Sequence, residues 1–223
     1  MTGGDHVLIV SNPTAEQLSR AVQASPVARD PLKRAMDILV AGGALLFFAP
    51  LLALIAVLIK MESPGPVLFR QSRGGLNGQA FTIFKFRSMR CQENGSKVVQ
   101  AKRDDDRITT VGRIIRKTSI DELPQLLNVL RGDMSIVGPR PHALAHDEHY
   151  GAQIANYHLR FRARPGLTGL AQIKGLRGGT TEVEAMAARI DADNEYIERW
   201  TLSGDIKILL MTVPHLLMAD NAY

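Results

Sequence analysis

The chain has 223 residues, with 27 Lys and Arg against 22 Asp and Glu and a formal net charge of +5. That length suits one domain with a real core, and the basic balance asks for an anionic partner. Aromatic residues make up 5% and are not interleaved with the basic ones, which excludes a convincing single-stranded nucleic-acid platform and leaves a membrane surface or a phosphorylated substrate. Cys91 is the only cysteine, so no intramolecular disulfide can form and a reducing compartment is expected; the first residues carry no secretory signal pattern.

Residues 1–30 read as a tail. They hold one short apolar run, Val7-Leu8-Ile9-Val10, and are then punctuated by Pro, Ser and Asn. From Ile38 to Ile59 no residue is charged, close to the roughly 20 apolar residues a bilayer-spanning helix needs. Two features argue against a simple span. Lys33 and Arg34 precede the run and Lys60 follows it, and the positive-inside rule places both flanks on the cytoplasmic side. Pro50 sits in the middle, where it removes a helix hydrogen bond. A re-entrant helix-break-helix over 31–61, broken at Ala49-Pro50 and returning to the same leaflet, meets both conditions better than a spanning or a buried soluble helix.

Residues 62–223 read as a small mixed α/β (α+β) globular domain. Ser63-Pro64-Gly65-Pro66 turns into a short strand, Val67 to Gln71, and a Gly-rich loop leads to a second strand over Phe81 to Met89. Strict alternation puts Lys85, Arg87 and Met89 on one face; spacing alone leaves a solvated strand face and a phosphate-binding face both open. Asp104 to Thr109 reads as a loop with capping side chains rather than a metal cluster, because consecutive Asp side chains diverge. Arg113 and Arg116 follow and are directed towards Asp121-Glu122.

Leu123, Leu127 and Leu130 at i, i+4, i+7 predict the apolar face of a helix that begins near Asp121, with Gln125 and Asn128 on another face and Pro124 in the first turn. A lone Asp before an apolar run is ordinarily a cap. Here two adjacent carboxylates meet Arg113, Arg116 and Lys117 on one side and, on the other, Arg140 held between Pro139 and Pro141. Phosphoryl chemistry needs a nucleophile or metal ligand facing fixed positive charge, and a proline-restrained guanidinium suits bidentate phosphate contact. His142, His146 and His149 would share a helical face, read as a solvated flank rather than a zinc site. Arg160 to Arg164 reads as strand leading into the turn at Pro165-Gly166. Glu182 to Trp200 is an amphipathic helix with Val183, Met186, Ala187, Ile190 and Ile197 inward, and Asp205 to Met218 is expected to lie as an interfacial helix on the bilayer, with ordinary core packing as the alternative.

The run Val111-Gly112-Arg113, Arg116, Ser119, Asp121-Glu122-Leu123-Pro124-Gln125 and Met134-Ser135-Ile136-Val137-Gly138-Pro139-Arg140-Pro141 closely resembles the bacterial sugar transferase family, the monotopic phosphoglycosyl transferases, and the likeness extends from about Lys33 to the C-terminus. Lys85-Phe86-Arg87-Ser88-Met89 and Pro165 to Gly169 with Ala171-Gln172 and Gly175 continue it. Departures are Ala49-Pro50 where many members have Ser-Pro, and Leu170 where many have Trp. The resemblance implies the re-entrant arrangement and transfer of a sugar 1-phosphate from a UDP-sugar to polyprenyl phosphate with release of UMP. It also implies Mg²⁺, catalytic and metal-binding roles for Asp121 and Glu122, and substrate contacts from Lys85, Arg87, Arg116, Arg140, Pro141 and Arg177. Larger members carry N-terminal domains, so the chain reads as the catalytic module on the cytoplasmic face of a bacterial inner membrane. Its partners would be UDP-sugar, polyprenyl phosphate and membrane lipid, with a homo-oligomer left open. The ending Asp220-Asn221-Ala222-Tyr223 resembles members that start with glucose; galactose and N-acetylated sugars are the alternatives. A membrane-bound scaffold would leave the Asp-Glu pair and Arg140 without a purpose.

Overall fold

A computed structural model describes residues 24–90, 105–176 and 182–217. The tail's apolar run, Cys91, Arg177 and the C-terminal Asp220 to Tyr223 lie outside them.

A short helix, α1 (Pro26–Arg29), leads into α2 (Pro31–Glu62), whose first turn is capped by Asp30 accepting from the Lys33 backbone N–H at 2.8 Å. Helix α2 is long and apolar enough to cross a membrane by length and composition. Pro50, where the break is expected, lies inside this helix, and the two ends of the helix pack on the same globular body: Ala41 joins a core with Leu126, Val129 and Ile136, while Ile55 and Ile59 join Phe86 and Ile115. Between these footholds Leu46 and Phe47 are 80% and 78% exposed, an apolar bulge that water does not favour.

Of the flanking cations, Lys60 is exposed, whereas Lys33 and Arg34 are held by the protein. Lys33 is buried, its Nζ 3.2 Å from Asp37 Oδ1 and 2.9 Å from Asp205 Oδ2, and it donates to the Val137 carbonyl at 3.1 Å. Arg34 donates to the Val129 and Leu130 carbonyls at 2.6 and 2.8 Å, satisfying helix-end acceptors. The positive-inside argument for these two residues therefore gives way to a packing one.

Strands β1 (Leu68–Gly74) and β2 (Ala80–Phe86) form an antiparallel hairpin with Leu68 opposite Phe86. Helix α3 (Thr110–Lys117) follows, its Thr109 cap accepting from Gly112 N at 2.9 Å. A 3₁₀ turn (Ile120–Gln125) then feeds α4 (Leu126–Arg131). Here the expected apolar face is inverted: Leu127 and Leu130 are exposed, whereas Gln125, Leu126, Asn128 and Val129 are buried. Asn128 faces inward because β2 needs a partner. It accepts from the Phe84 N–H at 3.0 Å and donates to the Thr82 carbonyl at 2.7 Å, pinning the hairpin to α4.

Strand β3 (Ser135–Val137) pairs in parallel with β4 (Gly166–Thr168). Their approach is close enough that a Cβ on Gly138 would collide with backbone atoms of Arg164 and Gly166, which explains a glycine before Pro139. Helix α5 (Leu144–Gly151) and a 3₁₀ turn (Tyr157–Arg162) lie between them, and the latter replaces the strand expected over Arg160. Helices α6 (Leu170–Ile173), α7 (Val183–Glu198) and α8 (Leu202–Leu217) complete the order. Met186, Ile190 and Ile197 of α7 are buried as expected.

Candidate active site

The 3₁₀ turn puts consecutive carboxylates in different surroundings. Ser119, which precedes it, has φ of 56°, a left-handed backbone in which Ser is uncommon, so the turn into Asp121 is locally strained. Glu122 is fully committed: its Oε1 lies 2.7 Å from both Lys85 Nζ and Arg140 Nη2. Burial alone would raise its carboxyl, but Arg140 and Lys85 outweigh that and hold it well below the usual carboxylate range. Glu122 in turn raises Arg140, which therefore stays a cation.

Asp121 is the opposite case. It is buried, and its carboxylate makes no hydrogen bond with the described residues. Burial pushes its carboxyl up to about 6, with Glu122 adding to the rise and Lys85, Arg116 and Arg140 opposing it. A buried carboxylate with cations near and no partner is held in reserve for something that arrives.

Of the residues expected at the site, Lys85, Arg116, Asp121, Glu122 and Arg140 come together. Arg116 is half-buried, with its Nε unpartnered. Arg113 is exposed. Pro141 acts through its carbonyl, which accepts from Arg73 at 3.3 Å. Arg87 does not share Lys85's face. Strand β2 ends at Phe86, the alternation ends with it, and the Arg87 guanidinium turns to the C-terminus of α2, donating to Ser63 O and Pro64 O at 2.7 Å and Ser63 Oγ at 3.0 Å. Gly65 makes room for it, at a φ of 117°. Met89 leaves the strand as well and bridges Ile108.

Several residues at the site were not found in the sequence. Arg73, at the end of β1, lies close enough to Arg140 that burial first and that like charge second lower its guanidinium to about 10. Behind Arg140 stands a buried clamp. Arg160 Nη2 donates to the Arg140 carbonyl and lies 3.1 Å from Asp193 Oδ2, while Asp193 accepts the Arg140 backbone N–H. Arg160 also reaches His142 Nδ1 at 2.9 Å, and Tyr157 bonds His142 and Asp147 at 2.8 and 2.7 Å. His142 is thus no part of a solvated helix face. Burial and then Arg160 hold it well below the ordinary histidine value, so it is neutral. The signal for Asp193 was present: it lies on the buried stripe of α7 with Met186, Ile190 and Ile197, and an acid on such a stripe requires a partner.

Asp105 behaves as a capping residue, accepting from the Arg107 N–H at 3.0 Å and pairing with its guanidinium at 2.7 Å. Among the described residues no group of three or more His, Cys, Asp or Glu could hold a metal ion. A magnesium site does not require one, since Mg²⁺ keeps several waters and binds through one or two carboxylates plus substrate phosphates. The unpartnered Asp121 carboxylate fits such a role; Glu122, already paired with two cations, fits it less well. A surface cavity of about 820 Å³ lies beside Arg70, Arg87 and Arg90, and Asp121 is not among its lining residues.

A carboxylate without a side-chain partner beside a cation-locked one, on a body footed to a long apolar helix, is an arrangement suited to meeting an anionic group. The chain belongs to the bacterial sugar transferase family, whose model matches residues 28–219. It is 62% identical over 197 residues to a UDP-glucose:undecaprenyl-phosphate glucose-1-phosphate transferase of Caulobacter vibrioides, covering 88% of this chain and 74% of that one. The Escherichia coli protein of the same name is 52% identical over 182 residues, 82% of this chain and 39% of its own length. A UDP-N-acetylgalactosamine-undecaprenyl-phosphate N-acetylgalactosaminephosphotransferase of Aeromonas hydrophila is 43% identical, covering 86% and 45%. The chain thus spans three quarters of one of these relatives and under half of the others.

Proposed function

We propose that this chain transfers glucose 1-phosphate from UDP-glucose to a polyprenyl phosphate at the cytoplasmic face of a bacterial inner membrane, releasing UMP. The observation that carries the reading is the contrast at 121–122, an unpartnered carboxylate fixed beside one locked by Lys85 and Arg140. The printed name of the relative at 62% identity favours glucose over the N-acetylgalactosamine named for the one at 43%.

In this reading an Asp121 carboxylate oxygen attacks the β-phosphorus of the donor. The bond from that phosphorus to the bridging oxygen breaks, and the bridging oxygen leaves with the electron pair as UMP. An oxygen of the lipid phosphate then attacks the same phosphorus and expels Asp121 as carboxylate, giving the polyprenyl diphosphate sugar. Arg140 and Arg116 hold phosphate oxygens, and Lys85 supports them. Glu122 fixes the two cations whose charge the donor meets. Mg²⁺, held by Asp121 together with the donor's diphosphate, would supply charge neutralisation. Arg160 and Asp193 keep the Arg140 backbone where its guanidinium can reach. The apolar bulge of α2 lies in the near leaflet, with both helix ends on the cytoplasmic body, which brings the lipid phosphate to the site without a span.

The test is UMP release by detergent-purified protein with undecaprenyl phosphate and Mg²⁺, comparing UDP-glucose, UDP-galactose and UDP-N-acetyl sugars. Release with UDP-glucose, loss in Asp121→Asn, and a phosphosugar adduct trapped on Asp121 in the absence of lipid are expected. Sequential kinetics with no adduct would reject the covalent step, and preference for another donor would reject glucose.

A further inference from the structure

Away from the acid pair, α6, α7 and α8 enclose a groove of about 350 Å³. Its floor is apolar, built from Leu170, Ile173, Ile208 and Met211 with the face of Trp200. Its rim carries Lys174, Arg199 and Lys207 against a single carboxylate, Glu195, which lies 2.6 Å from Lys174 and 3.6 Å from Arg199. Three cations share one acid, so the mouth keeps a net positive charge over a hydrocarbon floor. Neither the acid pair nor the Arg140 clamp uses any of these residues.

The groove is joined to the start of α2 through the buried Lys33 cluster. Trp200 Nε1 donates to Asp205 Oδ2 at 3.0 Å, and Asp205 pairs with Lys33 in the first turns of α2, just before the uncharged run begins. The groove is thereby tied to the first turns of α2, the end from which that helix leads into its uncharged run. Leu210 of α8, 68% exposed, and Ile206, 49% exposed, continue the apolar surface from the groove outwards. A ligand there meets cations at the rim and apolar side chains beneath them.

We infer that this groove binds an anionic phospholipid, its phosphate among Lys174, Arg199 and Lys207 and an acyl chain on the Trp200 and Met211 floor. The inference rests on the reading of α2 as a membrane helix. Charge complementarity selects the occupant: a zwitterionic headgroup brings its own cation to a rim already in cationic excess, and a purely apolar protein segment would leave that excess unmatched. The groove thereby anchors α8 and, through Asp205, the start of α2.

Trp200 is the chain's only tryptophan, so in nanodiscs built with a tryptophan-free belt protein its quenching reports on lipid reaching this part of the chain. The full chain is placed in nanodiscs in which brominated phosphatidylglycerol or brominated phosphatidylcholine replaces a small, equal fraction of the lipid. Two uncompensated cations near an anionic headgroup predict a dependence of quenching on lipid fraction roughly thirtyfold steeper for phosphatidylglycerol. Lys174→Ala/Arg199→Ala/Lys207→Ala should abolish the preference, Glu195→Gln should strengthen it, and Arg113→Ala/Lys117→Ala, cations exposed on α3, should leave it intact. Equal quenching by both lipids would overturn the inference, as would no quenching by either or a preference that survives the triple variant. Failure of the wild-type chain to enter any nanodisc would overturn the membrane reading of α2 and this inference with it. Entry without selective quenching would overturn this inference alone.

Discussion

The sharpest consequence of the fold concerns Lys33, which is 3% exposed and shared by Asp37 and Asp205, themselves 2% and 0% exposed. Lys33→Met keeps the volume and removes the charge, leaving two carboxylates inside the protein without their cation. Removing one partner from a buried ion pair costs about 3–5 kcal/mol. The loss stays in that range rather than doubling, because each acid keeps neutral donors. Asp37 accepts from Ser135 Oγ and the Ile136 N–H, each at 2.9 Å, and Asp205 from Tyr196 OH and Trp200 Nε1 at 2.9 and 3.0 Å. For a chain of this size the melting temperature should fall by about 6–20 °C. The assay is a thermal melt in detergent followed by Trp200 fluorescence, whose indole reports directly on Asp205. Lys33→Met/Asp37→Asn/Asp205→Asn removes the stranded charges and should recover most of the loss. A fall under about 2 °C in the single variant, or a triple variant less stable than the single one, would refute the reasoning.

Two further outcomes separate structural from chemical cations. Arg87→Met deletes charge-assisted bonds to the end of α2 and should cost about 2–4 kcal/mol; it should lower the melting temperature and leave the KM for UDP-glucose unchanged in the folded fraction, and a raised KM at unchanged stability would return Arg87 to the substrate. Burial holds the Asp121 carboxyl up at about 6, so UMP release should rise with pH through about 6 as the nucleophile ionises. Lys85 is the strongest influence lowering that value, so Lys85→Met should move the acid limb of the initial-rate profile to higher pH, and a limb that stays or moves down would contradict the proposed nucleophile.

What the sequence disclosed was whatever neighbouring residues decide among themselves. The paired strands expected over Val67 to Gln71 and Phe81 to Met89, the helix over Glu182 to Trp200 and the uncharged run from Ile38 are all local statements, and each has its counterpart in the fold, with ends shifted by a few residues. The approach of Asp121 and Glu122 to Lys85 and Arg140 was legible because it came with an ordered set of motifs. What was hidden depended on where distant backbone ends. Leu127 and Asn128 exchanged places because β2 offers an N–H and a carbonyl to whichever side chain can take both, and only the amide can.

The same holds for the basic residues. Lys85 and Arg87 are two positions apart with the same charge, and alternation put them together. They part because the frayed end of α2, with carbonyls lacking helical partners, lies within reach of one and the acid pair within reach of the other. Arg34 and Arg164 repeat Arg87's case, donating to the carbonyls of Val129, Leu130, Gly132 and Ala28. A net charge of +5 therefore overstates the field open to substrate, since several cations are occupied by backbone. Those left facing the acid pair are Lys85 and Arg140, which Glu122 holds, and Arg116, whose charge reaches Asp121 without a bond to it.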